Sequence, residues 1–386
     1  MNPVRPLFVV LLSMLAAGAA LAADSGNFVT RLGADTTGVE HYSRTPDRIE
    51  IDQVGRSPRV LNRHIVIDRA GAGVKHMSYV VTAPGAAAGS PPFQTIEANF
   101  TADSVMIDIA QGGHENHIHA AVPPNTLVMP GVSPWPVLEI ETMKFVAQKA
   151  DSIHDALYGL GAPTVGWVSV HRVSHDEVEV DTDNNVWRAR VDRKGMVLGA
   201  TPLRGTGKFG VERVASLDLA ASTAAFAAAE KAGGAMGAFS PRDTVRATAA
   251  GASLWIDYGR PAKRGRVVFG QVVPWGEVWR TGANAATQFK TDKTLVMNGI
   301  TVPPGFYTLW TLPTPQGWKL IVNSETGQWG TEYKPAKDLY TIPMTVSTLP
   351  QAVERFTIGI EPADKGGALN LDWDTTRATV AFTVQP

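Results

Sequence analysis

The chain contains no cysteine among its 386 residues, which excludes disulfides, thiolate metal ligands, a cysteine nucleophile and a lipidated cysteine after any leader. It also lacks an excess of either charge. Lys plus Arg number 35 against 36 for Asp plus Glu, so there is no basic field to draw a nucleic acid. No G-x-S-x-G, S-x-x-K or glycine-rich phosphate loop occurs, which removes the common serine-nucleophile and nucleotide signatures. What remains, 44% apolar and 18% charged residues, is the composition of a folded globular protein.

Past the leader, no run approaches the eighteen apolar residues that a membrane helix needs. The leader itself has Arg5 ahead of an apolar run from Leu7 to Leu21, then the small-x-small pattern Ala20-Leu21-Ala22. That is the form of a cleaved secretory signal over residues 1–22, with a mature start at Ala23 and a periplasmic or secreted destination. The chain is then expected not to span a membrane once the signal is removed.

Hydrophobic patterning divides the rest. Residues 23–219 read as a domain of short strands with period-two alternation, such as Arg48-Ile49-Glu50-Ile51-Asp52. Asp181-Thr182-Asp183-Asn184-Asn185 is turn chemistry; as a calcium loop it lacks the sixth-position glycine, where Val186 stands. One helix is expected at Thr142 to Leu157, from apolar residues recurring at Met143, Val146, Ala147, Ala150, Ile153, Ala156 and Leu157. The expected architecture is mostly β: a curved antiparallel sheet or partial barrel with a covering helix. An Ala-rich helical linker at 220–243, closed by Gly233-Gly234, leads to a C-terminal β-sandwich at 244–386. Asn298-Gly299 marks a two-residue hairpin within it.

The second half carries ordered blocks. They run Tyr258-Gly259-Arg260-Pro261, Arg264-Gly265-Arg266, Phe269-Gly270, and Val273-Pro274-Trp275-Gly276-Glu277-Val278-Trp279-Arg280-Thr281-Gly282-Ala283-Asn284. Pro304-Gly305-Phe306-Tyr307-Thr308-Leu309-Trp310, Gly327-Gln328-Trp329-Gly330 and Val353-Glu354-Arg355-Phe356 follow in order. Over residues 245 to 386 this pattern resembles the domain of unknown function 2911 family. The resemblance implies an exported bacterial protein with a β-rich domain, and brings no established activity, cofactor or catalytic residue. The first two hundred residues have only a loose similarity to periplasmic domains with a curved antiparallel sheet.

Candidate ligand-binding residues are Trp275, Glu277, Trp279, Arg280, Asn284 and Trp329. Glycine and proline crowd the segment from Val273 to Asn284, which forces a non-repeating backbone able to present polar groups. Arginine suits a carboxylate or phosphate, asparagine gives and accepts hydrogen bonds, glutamate can act as a base, and the indoles can form a stacking wall. The competing reading is a Glu277–Arg280 ion pair pinning the loop with both indoles in the core. Trp329, in a second aromatic loop with Tyr333, reads either as a stacking surface or as a plug for the end of the sandwich.

His114, His117 and His119 are the metal candidates. On a strand His117 and His119 share a face, and a zinc or copper ion then needs a third ligand such as His171 or His175. The alternative is a solvated histidine cluster, and no cofactor is required by the sequence. Asp372 and Asp374, flanking Trp373, read as a cation site or as solvated strand positions. The leading functional expectation is an exported envelope protein that binds a small molecule or envelope component. A periplasmic hydrolase or lyase using Glu277, Arg280 and Asn284, or a His-bound metal, is the alternative.

Overall fold

The computed structural model describes residues 24–87, 89–131, 135–205 and 207–385; the expected secretory signal, residues 1–22, and Ala23 lie outside these. Two sheets account for most of the chain.

In the first sheet, fifteen strands pair in an unusual order. The first strand, Asp24–Leu32, sits near the centre. From it, seven further strands meander outward in chain order to His114–Ala121, at one edge. On its other side it pairs with the last, Gly210–Val214, and the sheet then runs back in reverse chain order to Leu127–Met129 at the far edge. Alternation sets the faces. Ile49 and Ile51 point into the core at 1% and 0% exposure, while Arg48 bonds Glu50 at 2.9 Å and Asp68 at 2.8 Å outside.

Helix α1, Trp135–Gln148, lies in the hollow of this curved sheet and buries Trp135, Leu138 and Phe145 against it. Burying each such side chain contributes about 1.5–3 kcal/mol. The helix is also held by a buried carboxylate. Glu139 is fully buried and accepts from Tyr42 Oη at 2.6 Å, the Val197 amide at 2.7 Å, Arg44 at 3.2 Å and Arg213. Burial, and then the neighbouring Glu139 charge, push the Tyr42 hydroxyl well above its usual range.

The predicted helix at Thr142 to Leu157 is corrected here. The helix starts earlier, at Trp135-Pro136, and stops at Gln148; Lys149 takes φ 52°. Residues Ser152–Gly159 then form a strand, parallel to Leu127–Met129. Ile153 and Leu157 are four apart, a spacing that fits a helix stripe, yet here they are buried strand residues. Proline suits a first helical turn, so Pro136 was the overlooked start signal. The Ala-rich segment forms helix α2, Leu219–Ala229, capped by Asp218, whose carboxylate accepts from the Ala221 amide at 2.8 Å. It packs through Leu219 and Phe226 on the outer face of the first sheet, against Val39, Val54 and Val60.

The second sheet has nine strands. It begins with Arg242–Ala249 and Ala252–Gly259, and contains two long strands, Asp338–Ala363 and Gly366–Val384. Register shifts around Val353 bend this last pair. Its far part returns over Ala252–Gly259, where the Ile358 amide donates to Tyr258 Oη at 3.0 Å and Ala262 bridges Arg355. Tyr258, Phe356 and Trp373 fill the space between. The Asn298-Gly299 hairpin forms as expected, with Met297 opposite Ile300.

Between the sheets, the Ala34 amide bonds the Arg264 carbonyl at 3.1 Å, and Arg264 Nη1 meets Asp35 Oδ2 at 2.6 Å. A Cβ on Gly33, at φ 64°, would strike the Arg264 carbonyl, so this close approach requires glycine.

Candidate functional site

The Gly- and Pro-rich segment after Gly259 has little regular structure, and its backbone is fixed by a neighbour. Trp279 and Thr311 exchange two backbone bonds at 2.8 Å, and the Gly276 amide donates to the Pro313 carbonyl at 2.8 Å. The loop is thereby fastened to the strand Gly305–Thr314. Thr281 is fully buried at φ 52°, a left-handed conformation that a β-branched residue adopts at a cost of about 1–3 kcal/mol. Its carbonyl accepts from Thr287 Oγ1 at 2.7 Å, which holds it there. Asn284 also has positive φ, at 62°.

This loop forms one wall of a cleft of about 610 Å3 between the two sheets. Glu277, Trp279, Arg280 and Asn284 all line it, so four of the six residues singled out from the sequence meet in one place. Trp279 is part wall and part core. Its ring stacks on Trp373 at 5.9 Å and meets Phe356 edge to face at 4.9 Å, while Nε1 donates to the Gly282 carbonyl at 3.1 Å.

Trp275 and Trp329 are not on the wall. Each is 41% exposed; Trp275 leans on Phe269, and Trp329 lies next to Gly330, which does line the cleft. The expected Glu277–Arg280 ion pair is absent among the described residues. Arg280 instead runs over Gly330, where any Cβ would collide with its side chain, and donates weakly to the Gly330 carbonyl at 3.4 Å. Its Nε is buried without a partner.

Three further cations, Arg204, Lys208 and Arg266, were not anticipated as site residues. Lys208 comes from the first sheet, just before Gly210–Val214, and donates to the Leu203 carbonyl at 3.2 Å. Arg266 bonds the carbonyls of Lys263 at 3.0 Å and Ala262 at 2.6 Å. Lys208, Arg266 and Arg280 are thus held by backbone oxygens, whereas a fourth lining cation, Arg204, pairs with Glu179 at 3.8 Å. Burial pushes Arg280 down to about 10. Burial, and then the Arg280 charge, push Lys208 down to about 8, with Glu277 opposing. Aromatic side chains from both sheets complete the wall, among them Phe209, Trp310 and Tyr333. The only sequence signal for Lys208 was the pair of glycines, Gly205 and Gly207, shortly before it.

The histidines lie elsewhere. His114, His117 and His119 are on the exposed edge strand His114–Ala121, where His117 bonds Asp108 at 2.6 Å and this bond raises its pKa. Strand spacing does put His117 and His119 on one face. No third ligand arrives, and among the described residues no group of three or more His, Asp or Glu side chains is placed to hold a metal. The metal reading of these histidines therefore has no support in the geometry. Asp372 is bonded by Arg377 at 2.7 Å and Asp374 by Lys263 at 2.6 Å, so neither is an open cation ligand.

Residues 240–382 match the family model described as a protein of unknown function, DUF2911, and so agree with the resemblance read from the sequence; the match leaves out the first sheet. No curated protein matches the chain. Among solved structures, it is similar to a DUF1089 family protein from Pseudomonas aeruginosa, at 10% identity and TM-score 0.30, over 43% of this chain and 90% of that one. It is also similar to a β-barrel-like protein of the domain of unknown function DUF1849 from Brucella abortus, at 10% identity and TM-score 0.33, over 50% of this chain and 93% of that one. Among the described residues, no helix is long and apolar enough to cross a membrane.

Proposed function

We propose that this is an exported binding protein whose cleft takes a small anionic ligand, a carboxylate or phosphate, against an aromatic wall. Arg280 carries the reading. A charge removed from water costs several kcal/mol unless it is matched, on the order of the penalties seen for buried ions. Arg280 has one long bond to a carbonyl, a buried Nε without a partner and, among the described residues, no carboxylate. A planar guanidinium in that state is suited to a bidentate anion. Lys208 and Arg266 add to the positive field, and Glu277 is the acid set against them.

Calorimetric titration with inorganic phosphate and acetate tests the cleft. Arg280→Gln is expected to weaken binding by about tenfold or more, the loss of one charge-assisted contact. The melting temperature should hold or rise, because an unmatched cation is gone. Unchanged affinity overturns the proposal. Export rests on the leader, and is tested by N-terminal sequencing of the protein recovered from fractionated cells; an uncleaved cytoplasmic product overturns it.

A catalytic reading is favoured by one observation, the depressed Lys208. An amine near 8 is partly neutral at ordinary pH and can take a proton. The hydrolase or lyase alternative then has Lys208, rather than Glu277, as its base, with Arg280 and Asn284 steadying the anion. Turnover surviving in Lys208→Met removes that assignment.

A further inference from the structure

A second cavity, of about 370 Å3, lies inside the first sheet beside the start of α1. Trp135, Trp187 and Met129 give it apolar walls. Its other side is polar. Glu40, Gln53 and Arg63 stand opposite one another on three successive strands, at 1%, 6% and 8% exposure. Gln53 and Arg63 line the cavity. Gln53 Nε2 donates to Glu40 Oε2 at 3.3 Å, and burial raises the pKa of Tyr79, opposed by the charge of Arg63 and its side-chain hydrogen bond. Gln53 Oε1, a strong acceptor, is buried with no partner.

The inner cavity and the cleft share wall residues: Ser57, Phe209 and Phe239 line both. The rings of Phe209 and Phe239 meet edge to face at 5.2 Å, so two side chains stand where the spaces adjoin. Side-chain rotation is fast and local compared with movement of either sheet.

We propose that the two spaces form one bipartite site for an anionic amphiphile. Its acidic head sits at Arg280 and Lys208. Its uncharged, aryl-sized body passes the Phe209–Phe239 pair, and a hydroxyl or amide N–H at its far end donates to Gln53 Oε1. This rests on the reading of the cleft as an anion site. Size and polarity select the class. At roughly 30 Å3 per water, the inner cavity holds on the order of a dozen waters, which suits one ring and a short spacer rather than a long acyl chain. A plain hydrocarbon would also leave the Gln53 oxygen unmatched, the outcome that buried polar groups disfavour.

The test is calorimetry on the whole protein with acetate, ω-phenylalkanoates of increasing chain length, and the para-hydroxyl form of each. Affinity is expected to rise at one optimum length by roughly ten- to a hundredfold over acetate, the worth of burying one ring. The hydroxyl should add a further gain that Gln53→Leu abolishes. If acetate binds through Arg280 and no phenyl derivative binds tighter, the inner compartment is refuted while the cleft reading stands. If Arg280→Gln leaves every probe unaffected, the cleft reading falls with it. A para-diazirine phenylalkanoate gives a result on the unaltered protein. Cross-links at Met129 or Trp187 support the bipartite site, and cross-links confined to residues 274–284 overturn it.

Discussion

A lysine whose pKa has fallen to about 8 gives the cleft a pH dependence with a definite sign. In the unfolded chain Lys208 titrates near its ordinary value of 10.5, so between about 8 and 10.5 the unfolded state binds more protons. The charged amine therefore weakens the fold below about pH 8, and that penalty fades as pH rises through the window. Ligand binding runs the other way. An anion favours the charged form, so affinity for phosphate should fall as pH rises through about 8, and Lys208→Met should flatten the profile. Titrations from pH 6.5 to 9.5, in roughly half-unit steps around the shifted value, check this. Half of this site was legible in the sequence. Glycine and proline around Glu277, Trp279, Arg280 and Asn284 announced a built loop. Nothing in that segment could reveal that the opposing cation comes from the other sheet. Nor could residue type separate Trp279, on the wall, from Trp275, turned outward beside Gly276 at φ 78°. The histidines had the correct spacing for a strand face, but a metal site needs convergence from a second element, which spacing does not report.

At the scale of elements, α1 depends on polar groups inside an apolar hollow. Replacing Glu139 by Leu would leave Arg44 and Arg213 without their buried partner, a class of change that costs about 3–5 kcal/mol. A fall in melting temperature of roughly 6–20 °C is expected, at 2–4 °C per kcal/mol for a unit of this size. Two residues on, burial pushes Glu141 up to about 7, helped by its neighbour Asp155. A carboxyl raised from 4.5 binds more protons folded than unfolded between about 4.5 and 7, so its contribution to stability declines as pH rises through that range. Glu141→Gln should remove this slope, as measured by denaturant midpoints at pH 5 and pH 8. The strands were legible wherever one face is wet, as at Arg48-Ile49-Glu50-Ile51. They were missed where the pattern is mixed: Asp24–Leu32 and Arg242–Ala249 went unread. The helix was misplaced because Ile153 and Leu157 satisfy a helical stripe as well as a buried strand.

For the molecule as a whole, the cleft exists only where the sheets meet, since Lys208 and Phe209 come from one and Trp279 and Arg280 from the other. The contact of Asp35 with Arg264 fastens them; Ser57 Oγ donating to the Gly237 carbonyl at 3.0 Å, and the Val60 amide to Glu230 at 3.2 Å, hold the linker to the first sheet. Asp35→Arg sets like charges against each other there. It should weaken phosphate binding several-fold, although Asp35 lies outside the cleft, with little change in far-ultraviolet circular dichroism. Unchanged affinity would mean that the walls keep their places without this contact. The order of the first sheet bears on time as well as on shape. Its earliest strand, Asp24–Leu32, finds one neighbour at once through a hairpin, but the other, Gly210–Val214, is synthesised almost two hundred residues later. Joining ends that far apart is slow, because the entropy of closing so large a loop must be overcome before the contact is rewarded. Until then the centre of the sheet is a seam left undone, and the chain can still be drawn out as a thread. For the export proposed above, that delay is a use of topology: the first sheet cannot be completed before nearly all of its strands have been made.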